Sequence, residues 1–241
     1  MGKAPGGRKR VAIVQSNYIP WKGYFDMIAA CDEFILLDDV QYTRRDWRNR
    51  NRLKTPHGVQ WITIAVEVKG KYHQRIRDVV VSEPDWAVNH WRLLAQNYSK
   101  APHFRDVAAE AQRWYESAVG LTRLTEINEH FIRAVCGALG IATTITRSSD
   151  YKLDEGKTER LLSLCVQTGA AAYLSGPAAR DYLDVAQFEA SGISVEWMNY
   201  DGYREYPQLF PPFEHGVTVL DLLFNAGPAA PRFMKHVEVH G

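Results

Sequence analysis

Two adjacent carboxylates, Asp38 and Asp39, directly follow the apolar run 34–37. Paired carboxylates can act as a general base, hold magnesium or recognise an ammonium group. Alternatively, one could cap the following turn while the other pairs with a neighbouring arginine. Polar groups just past the carboxyl end of a parallel strand face the ligand crevice of the sheet. We therefore interpret both as catalytic candidates and expect at least one to reach a substrate.

Amide and phenol side chains follow the preceding apolar run, 11–14, in the same way. Gln15, Asn17 and Tyr18 occupy this turn, ahead of a predicted helix. They can hydrogen-bond a sugar, a base or a carbonyl, and the free N–H groups of a helix start favour phosphate. Packing alone could account for any one of them. Their clustering in one turn predicts substrate binding, and Gln41 is assigned to the same set.

A dense basic cluster comes after the carboxylates. The members assigned to phosphate or nucleic-acid binding are Arg48, Arg50, Asn51, Arg52 and Lys54. Such runs are usually solvated surface, but Asp46 is the only acid between Arg44 and Lys54, so the charges do not alternate. Guanidinium groups bind phosphate bidentately, and Trp47 inside the cluster could stack on a base. The cluster does not distinguish a sugar nucleotide from RNA, and its length narrowly favours a tRNA-sized donor.

Two later segments complete the candidate site. His90 lies on the inward stripe of a predicted helix near 83–98 and is a catalytic candidate, although a buried structural histidine is the commoner role there. Ser175 and Gly176 end a late apolar run and could cradle an anion with backbone N–H groups, although a plain tight turn has the same sequence. The substrate-binding set is completed by Asp181 and Tyr182.

Alternating strands and helices must position these residues. Apolar runs rich in β-branched residues occur at 11–14, 34–37, 60–66, 77–81, 141–146, 171–175 and 193–198. Helical patterns lie between most of them, which predicts an α/β fold with a mostly parallel, Rossmann-like sheet. Residues 1–10 are expected to be a flexible basic tail, and the rest a single domain with a helical insertion at about 83–139. In such a sheet Gln15, Asp38 and Ser175 should converge on one crevice.

Composition restricts the class of protein. Net charge is only +1, so any attraction to nucleic acid or membrane must be local. No apolar run approaches the roughly 18 residues of a membrane span, and the start lacks the apolar centre of a secretory signal. The three cysteines have no close pair, which fits a reducing compartment and argues against a structural zinc site. We therefore expect a cytoplasmic protein with no membrane partner, and assign no metal or cofactor.

Several segments resemble a known family. They are QSNYIPWKGYFD, LDDVQY, NRNRLKT, YLSGPAARDYL, DGYREYPQLF and VTVLDLLFNAGP. Together they resemble the WbqC-like family, bacterial proteins of gene clusters for O-antigen and related glycan assembly. The resemblance implies a role in finishing a glycan or amino-sugar metabolite, such as attaching glycine to a sugar amine. Many relatives have His and Pro where this chain has Val14 and Ser16, so no histidine is expected as catalyst in this turn.

The layout of strand, polar turn, helix and acidic strand end is similar to the sheets of nucleotidylyltransferases and class I aminoacyl-tRNA synthetases. The histidine pair and lysine-serine signature of their ATP-using members are absent from the sequence. We expect a transferase that moves an acyl or aminoacyl group, such as glycyl from aminoacyl-tRNA, onto the amine of an amino sugar or sugar nucleotide. The alternatives are a magnesium-dependent nucleotidyl or sugar-phosphate transferase and a non-catalytic module that binds a sugar nucleotide.

Overall fold

The computed structural model describes residues 7–238. The strands are β1 (Arg10–Val14), β2 (Glu33–Leu36), β3 (Arg50–Thr55), β4 (Gly58–Thr63), β5 (Thr144–Arg147), β6 (Ala172–Ser175) and β7 (Ser194–Trp197). The helices are α1 (Lys22–Ala29), α2 (Trp86–Tyr98), α3 (Phe104–Ser117), α4 (Leu124–Ala138), α5 (Lys157–Gln167), α6 (Val185–Ala190) and α7 (Val219–Ala226). Short 3-10 helices occur at Ile76–Asp78, Ser148–Asp150, Pro177–Asp181 and Gly227–Phe233.

The main sheet has five strands in the order β5-β2-β1-β6-β7, and every neighbouring pair is parallel. β3 and β4 form a separate antiparallel hairpin. The predicted α/β fold with a mostly parallel, Rossmann-like sheet is confirmed. The chain passes from β1 to β2 and on to β5 at one edge, then returns to β6 on the other side of β1. This reversal is the switch point at which open parallel sheets bind ligands, and it lies between the carboxyl ends of β1 and β6.

Side chains of the sheet alternate between two hydrophobic cores, as the two-residue period of a strand requires. One core contains Ala12 and Phe34 and packs against α1, α2, α3, α4 and α7. The other contains Val11 and Ile35 and packs against α5 and α6. Because helices cover both faces, the central residues of β1 and β2 are apolar on either side of the sheet, and 11–14 and 34–36 stand out in the sequence as apolar runs.

The connection from β2 to β5 carries the hairpin and three helices. α2, α3 and α4 lie within the segment 83–139, where the sequence predicts a helical insertion. The predicted strand at 77–81 is wrong, because Ile76–Asp78 is a 3-10 helix and the residues after it form only isolated bridges. β3 is not among the predicted strands, since its sequence RNRLKT has the composition of a charged surface run.

The predicted tail, 1–10, falls partly on residues 1–6, which lie outside the described residues. Its end belongs to the fold: Arg10 is the first residue of β1, and Lys9 Nζ lies 2.9 Å from a Glu33 carboxylate oxygen. The rest of the predicted domain division stays a prediction. None of the helices within 7–238 is both long and apolar enough to cross a membrane.

Candidate functional site

A cavity of about 750 Å³ lies at the switch point of the sheet, and we call it the crevice. Gln15 after β1, Gln41 after β2, and Ser175 with Gly176 at the end of β6 all line it. Its volume falls within the roughly 300–1,000 Å³ of small-molecule sites. The fold thus brings five of the predicted substrate-binding residues together: these four from three different strand ends, and Tyr182 from the segment after β6.

Asp39 is the carboxylate that reaches the crevice. Its Oδ1 lies 2.5 Å from Arg77 Nη1 and 3.6 Å from Arg75 Nη1. Ser148 Oγ donates a hydrogen bond to Asp39 Oδ2 at 2.7 Å. The two arginines balance the charge of Asp39 and are held close to the crevice by it.

Asp38 is buried away from the crevice, so the predicted convergence of Gln15, Asp38 and Ser175 is wrong for Asp38. Ser16 donates to it twice, from N–H to Oδ1 at 2.9 Å and from Oγ to Oδ2 at 2.7 Å. Thr125 Oγ1 also donates to Oδ2. Burial raises the pKa of Asp38 above its ordinary value, while these hydrogen bonds oppose the rise. Asp38 therefore ties the loop after β1 to the start of α4.

The separate surroundings of Asp38 and Asp39 bear on the magnesium alternative. One carboxylate is engaged by Ser16 and Thr125, and the other by arginines and Ser148. Magnesium favours adjacent carboxylate oxygens that face the same ion. Within residues 7–238 no three His, Cys, Asp or Glu side chains form a group that could hold a metal. The donor set does not fit a paired-carboxylate magnesium site.

Cations and hydroxyls make up another wall of the crevice. Lys157 and Arg160, in the first turn of α5, line it together with Tyr173 and Tyr182. Ser175 Oγ donates to the Tyr173 hydroxyl at 3.3 Å, and burial raises the pKa of Tyr173, so its phenol stays protonated. This wall offers positive charge and hydroxyl groups, the chemistry that phosphates and sugar hydroxyls require. Asp181 is exposed and does not line the crevice.

Tyr18 and His90 lie in the hydrophobic core, which corrects their assignment to substrate binding and catalysis. The Tyr18 hydroxyl donates to His90 Nδ1 at 2.8 Å, and His90 Nε2 donates to the Thr63 carbonyl at 3.2 Å. The Tyr115 hydroxyl lies 3.0 Å from that of Tyr18. Burial lowers the pKa of His90 to about 4, so the ring is neutral at pH 7. Neither residue reaches the crevice, because both join the loop after β1 to α2 and α3.

Three of the five predicted phosphate-binding residues are buried and engaged inside the protein. Arg48 Nη1 donates to the Gln15 and Ser16 carbonyls at 3.4 Å and also to Asn17 Oδ1. Asn51 Nδ2 donates to the carbonyls of Tyr18 and Ile19, at 3.0 and 2.9 Å. Lys54 Nζ donates to the Pro212 carbonyl. These assignments are corrected, since buried backbone carbonyls need donors and these side chains supply them.

Arg50 and Arg52 remain at the surface beside two tryptophans. Arg50 Cζ lies 3.9 Å from the centre of the Trp61 ring, and Arg52 Cζ lies 5.7 Å from that of Trp47. Trp47 and Trp61 are 38% and 46% exposed. Trp47 and Arg52 line a second cavity of about 310 Å³. Asn17 lines this second cavity and not the crevice.

Comparison with known proteins places this architecture in a family. The model of the WbqC-like protein family matches residues 15–233. The chain belongs to this family. Membership in the WbqC-like family suggests a role in glycan biosynthesis. The chain is also 53% identical over 228 residues to the uncharacterized protein Rv1507c of Mycobacterium tuberculosis, covering 95% of this chain and 98% of that protein. No solved structure matches.

In this WbqC-like chain the sequence analysis missed several residues that line the crevice. They include Lys157, Arg160, Tyr173 and Tyr200. The signal for the two cations is topological: a helix that follows a strand of a parallel sheet begins at the carboxyl edge, so its first turn faces the ligand. The turn into α5 passes through Gly156, whose φ of +91° suits glycine.

Proposed function

We propose that this protein is a transferase of glycan or amino-sugar biosynthesis. It would bind an amino-sugar nucleotide in the crevice and move an acyl or aminoacyl group, such as glycyl from aminoacyl-tRNA, onto the amine. The observation that carries the proposal is the composition of the crevice: amides, hydroxyls, two cations and one carboxylate meet at the switch point of a Rossmann-like sheet. Family membership supports the glycan setting.

The phosphate end of the ligand is assigned to the wall formed by α5. Lys157 and Arg160 supply positive charge there. α5 begins at Lys157, so the positive end of its dipole also lies at this wall. The turn at Ser175 and Gly176 adds a hydroxyl group and backbone N–H groups to this lining. A diphosphate would fit such a wall because each of its oxygens can accept from a separate donor.

The reactive end of the ligand is assigned to the side of Gln15, Gln41 and Asp39. The amides can position sugar hydroxyls, since each carries both a donor and an acceptor. In the transfer step the amine nitrogen attacks the acyl carbon of an ester donor and the ester C–O bond breaks. Asp39 would take the proton from nitrogen and return it to the leaving hydroxyl. A general base of this kind typically contributes about 10²–10⁴-fold.

One observation favours a second candidate, a module that binds a sugar nucleotide without turnover. Both oxygens of Asp39 already have partners, Arg77 on one and Ser148 on the other. A carboxylate held in this way can organise a binding site without removing a proton.

The test is calorimetric titration of the full chain with a nucleoside diphosphate amino sugar, followed by incubation with acyl and aminoacyl donors. Arg160→Met should weaken binding about tenfold or more, because a charge-assisted phosphate contact contributes on the order of 1.5–3 kcal/mol. Lys152→Ala is the matched control, an exposed lysine in the same strand-to-helix connection that does not line the crevice. Binding without transfer from any donor supports the module. Absence of binding contradicts both candidates.

A further inference from the structure

The second cavity lies beside the crevice but is a distinct space. Its lining includes Asn17, Trp21, Trp47, Arg52 and His215. Among residues 7–238, Trp21 is the one that lines both cavities. Nothing in the function proposed for the crevice uses the other four residues.

Each indole that lines the second cavity packs against further aromatic rings. The Trp47 ring centre lies 5.2 Å from that of Trp61. The Trp21 ring centre lies 5.2 Å from that of Tyr200 and 5.8 Å from that of Tyr203. Such contacts fix the planes of the indoles before any ligand arrives, which lowers the entropic cost of stacking a flat group on them.

Polar atoms at this cavity lack partners. His215 Nδ1 is buried and makes no hydrogen bond within the described residues. Asn17 uses Oδ1 to accept from Arg48, and no hydrogen bond within 7–238 uses its Nδ2. A buried polar atom without a partner costs on the order of 1–3 kcal/mol, so His215 Nδ1 favours a ligand that offers a hydrogen bond, and Asn17 Nδ2 is available as a second contact. Desolvation and the nearby Lys22 charge lower the pKa of His215, so its neutral ring carries one donor and one acceptor.

Arg52 is the charged group of the cavity. Its Nε donates to the Gly216 carbonyl at 2.7 Å, and its Nη2 lies 3.5 Å from a Glu214 carboxylate oxygen. A side chain at position 216 would overlap Arg52 Nη2, so glycine there leaves room for the guanidinium. Arg44 and Arg45 are exposed nearby in sequence.

We propose that the second cavity binds a nucleobase, stacked on the indoles of Trp21 and Trp47, with His215 and Asn17 bonded to its edge and Arg52 on its phosphate. The lining is unusually rich in flat groups, and base stacking on such rings is tolerant of base identity. A saccharide would also stack, but this lining offers few partners for its many hydroxyls. The base could come from a free nucleotide or from the single-stranded end of an RNA. This inference does not depend on the function proposed for the crevice.

The test is calorimetric titration of the full chain with adenosine monophosphate and with a four-nucleotide single-stranded RNA. Trp47→Ala should weaken binding about 5- to 150-fold, the range expected for the loss of one stacked base. Tyr72→Ala is the control, because Tyr72 is an exposed aromatic residue that lines neither cavity. It should change affinity less than about twofold. Tighter binding of the RNA than of the mononucleotide identifies nucleic acid as the source, and equal binding identifies a free nucleotide.

Two further variants keep the result interpretable. Arg160→Met, in the crevice, should leave the Trp47-dependent binding unchanged, which separates this site from the crevice. Gly216→Ala should displace Arg52 and weaken binding of the nucleotide more than that of adenosine. Thermal melting establishes that each variant is folded. Unchanged affinity in folded Trp47→Ala, equal losses in Trp47→Ala and Tyr72→Ala, or equally Trp47-dependent binding of a methyl pyranoside would overturn the proposal.

Discussion

Polar residues of two neighbouring regions have opposite environments. The crevice lining presents Gln15, Gln41 and Lys157 to a cavity. The second region, which we call the loop brace, consists of the buried residues Asp38, Arg48, Asn51 and Asn128. The first three hydrogen-bond to the loop after β1, and Asn128 hydrogen-bonds to the Arg48 carbonyl. The difference shows that a polar residue near a strand end can serve either the ligand or the loop that shapes the ligand site.

The need for a brace follows from the backbone of the loop 15–20. This segment belongs to neither a helix nor a strand, so its buried carbonyls have no ladder partners. Arg48 and Asn51 donate to four of these carbonyls. Ile19 has a φ of +36°, a left-handed conformation that persists in a non-glycine residue only when its surroundings hold it. Asn51 donates to the Ile19 carbonyl and so helps to stabilise this conformation.

The largest expected effect separates the two adjacent carboxylates. Asp39→Asn should lower transfer activity about 10²–10⁴-fold, because an amide cannot accept the proton. Its stability should change less than that of Asp38→Asn, since an asparagine oxygen can still accept from Ser148 and the arginine partners are partly exposed. Asp38→Asn should do the reverse, losing about 1–3 kcal/mol of stability because the amide nitrogen cannot accept from Ser16 or Thr125. Activity assays and urea unfolding measure both. Full activity in folded Asp39→Asn would place Asp39 in the same structural role as Asp38.

The next prediction compares two arginines that are neighbours in sequence. Arg48→Met should destabilise the fold by about 2–4 kcal/mol, because it leaves the Ser16 carbonyl and Asn17 Oδ1 without their donor. Arg50→Met, the matched control, should change the free energy of unfolding by less than about 1 kcal/mol, since that side chain lies over an exposed ring. Urea denaturation with constant slope gives both values. Equal losses would mean that Arg48 is not a brace residue.

The sequence located the strand ends better than it predicted whether the residues after them face the crevice or the protein interior. Helices cover both faces of β1, β2 and β6, so 11–14, 34–36 and 172–174 are apolar. The ends of these strands, and with them Gln15 and Ser175, could therefore be located. Asp38 and Asp39 could not be told apart. Which carboxylate turns inward depends on Ser16 and Thr125, and Thr125 lies far along the chain.

The arginine run shows a second limit of the sequence. Its density of positive charge resembles a solvated or phosphate-binding surface, yet Arg48 and Lys54 are buried. Their burial depends on carbonyls of distant segments, Ser16 and Pro212, which no local pattern reveals. Leu53 is the sole apolar residue of β3, so the strand carries no apolar alternation that could identify it.

The next prediction concerns the pH dependence of stability and tests His90, which bonds to Tyr18 of the loop after β1. The folded-state pKa of His90 is lowered from 6.5 to about 4, so between these values the unfolded chain binds a proton that the folded chain does not. Stability should therefore fall as the pH drops from 6.5 to 4, by up to about 3 kcal/mol. His90→Gln keeps a donor and an acceptor but cannot titrate. Urea unfolding at several pH values should show a shallower decline for this variant, and parallel curves would contradict the buried, neutral assignment.

The smallest expected effect is the salt dependence of RNA affinity, which reports how many residues of the arginine run can contact a phosphate. If Arg48 and Lys54 are internal, only Arg50 and Arg52 remain among the predicted phosphate-binding arginines and lysine. Each phosphate neutralised on a single strand contributes a slope of about −0.7 in log affinity against log salt. Two contacts would lower the affinity for a short single-stranded RNA only about sevenfold between 50 and 200 mM salt. Arg52→Met should reduce the slope by about one contact, whereas folded Arg48→Met should leave it unchanged. A slope several times steeper would mean that the buried members of the run become exposed when RNA binds, and the contrast between crevice and brace would then hold only for the free protein.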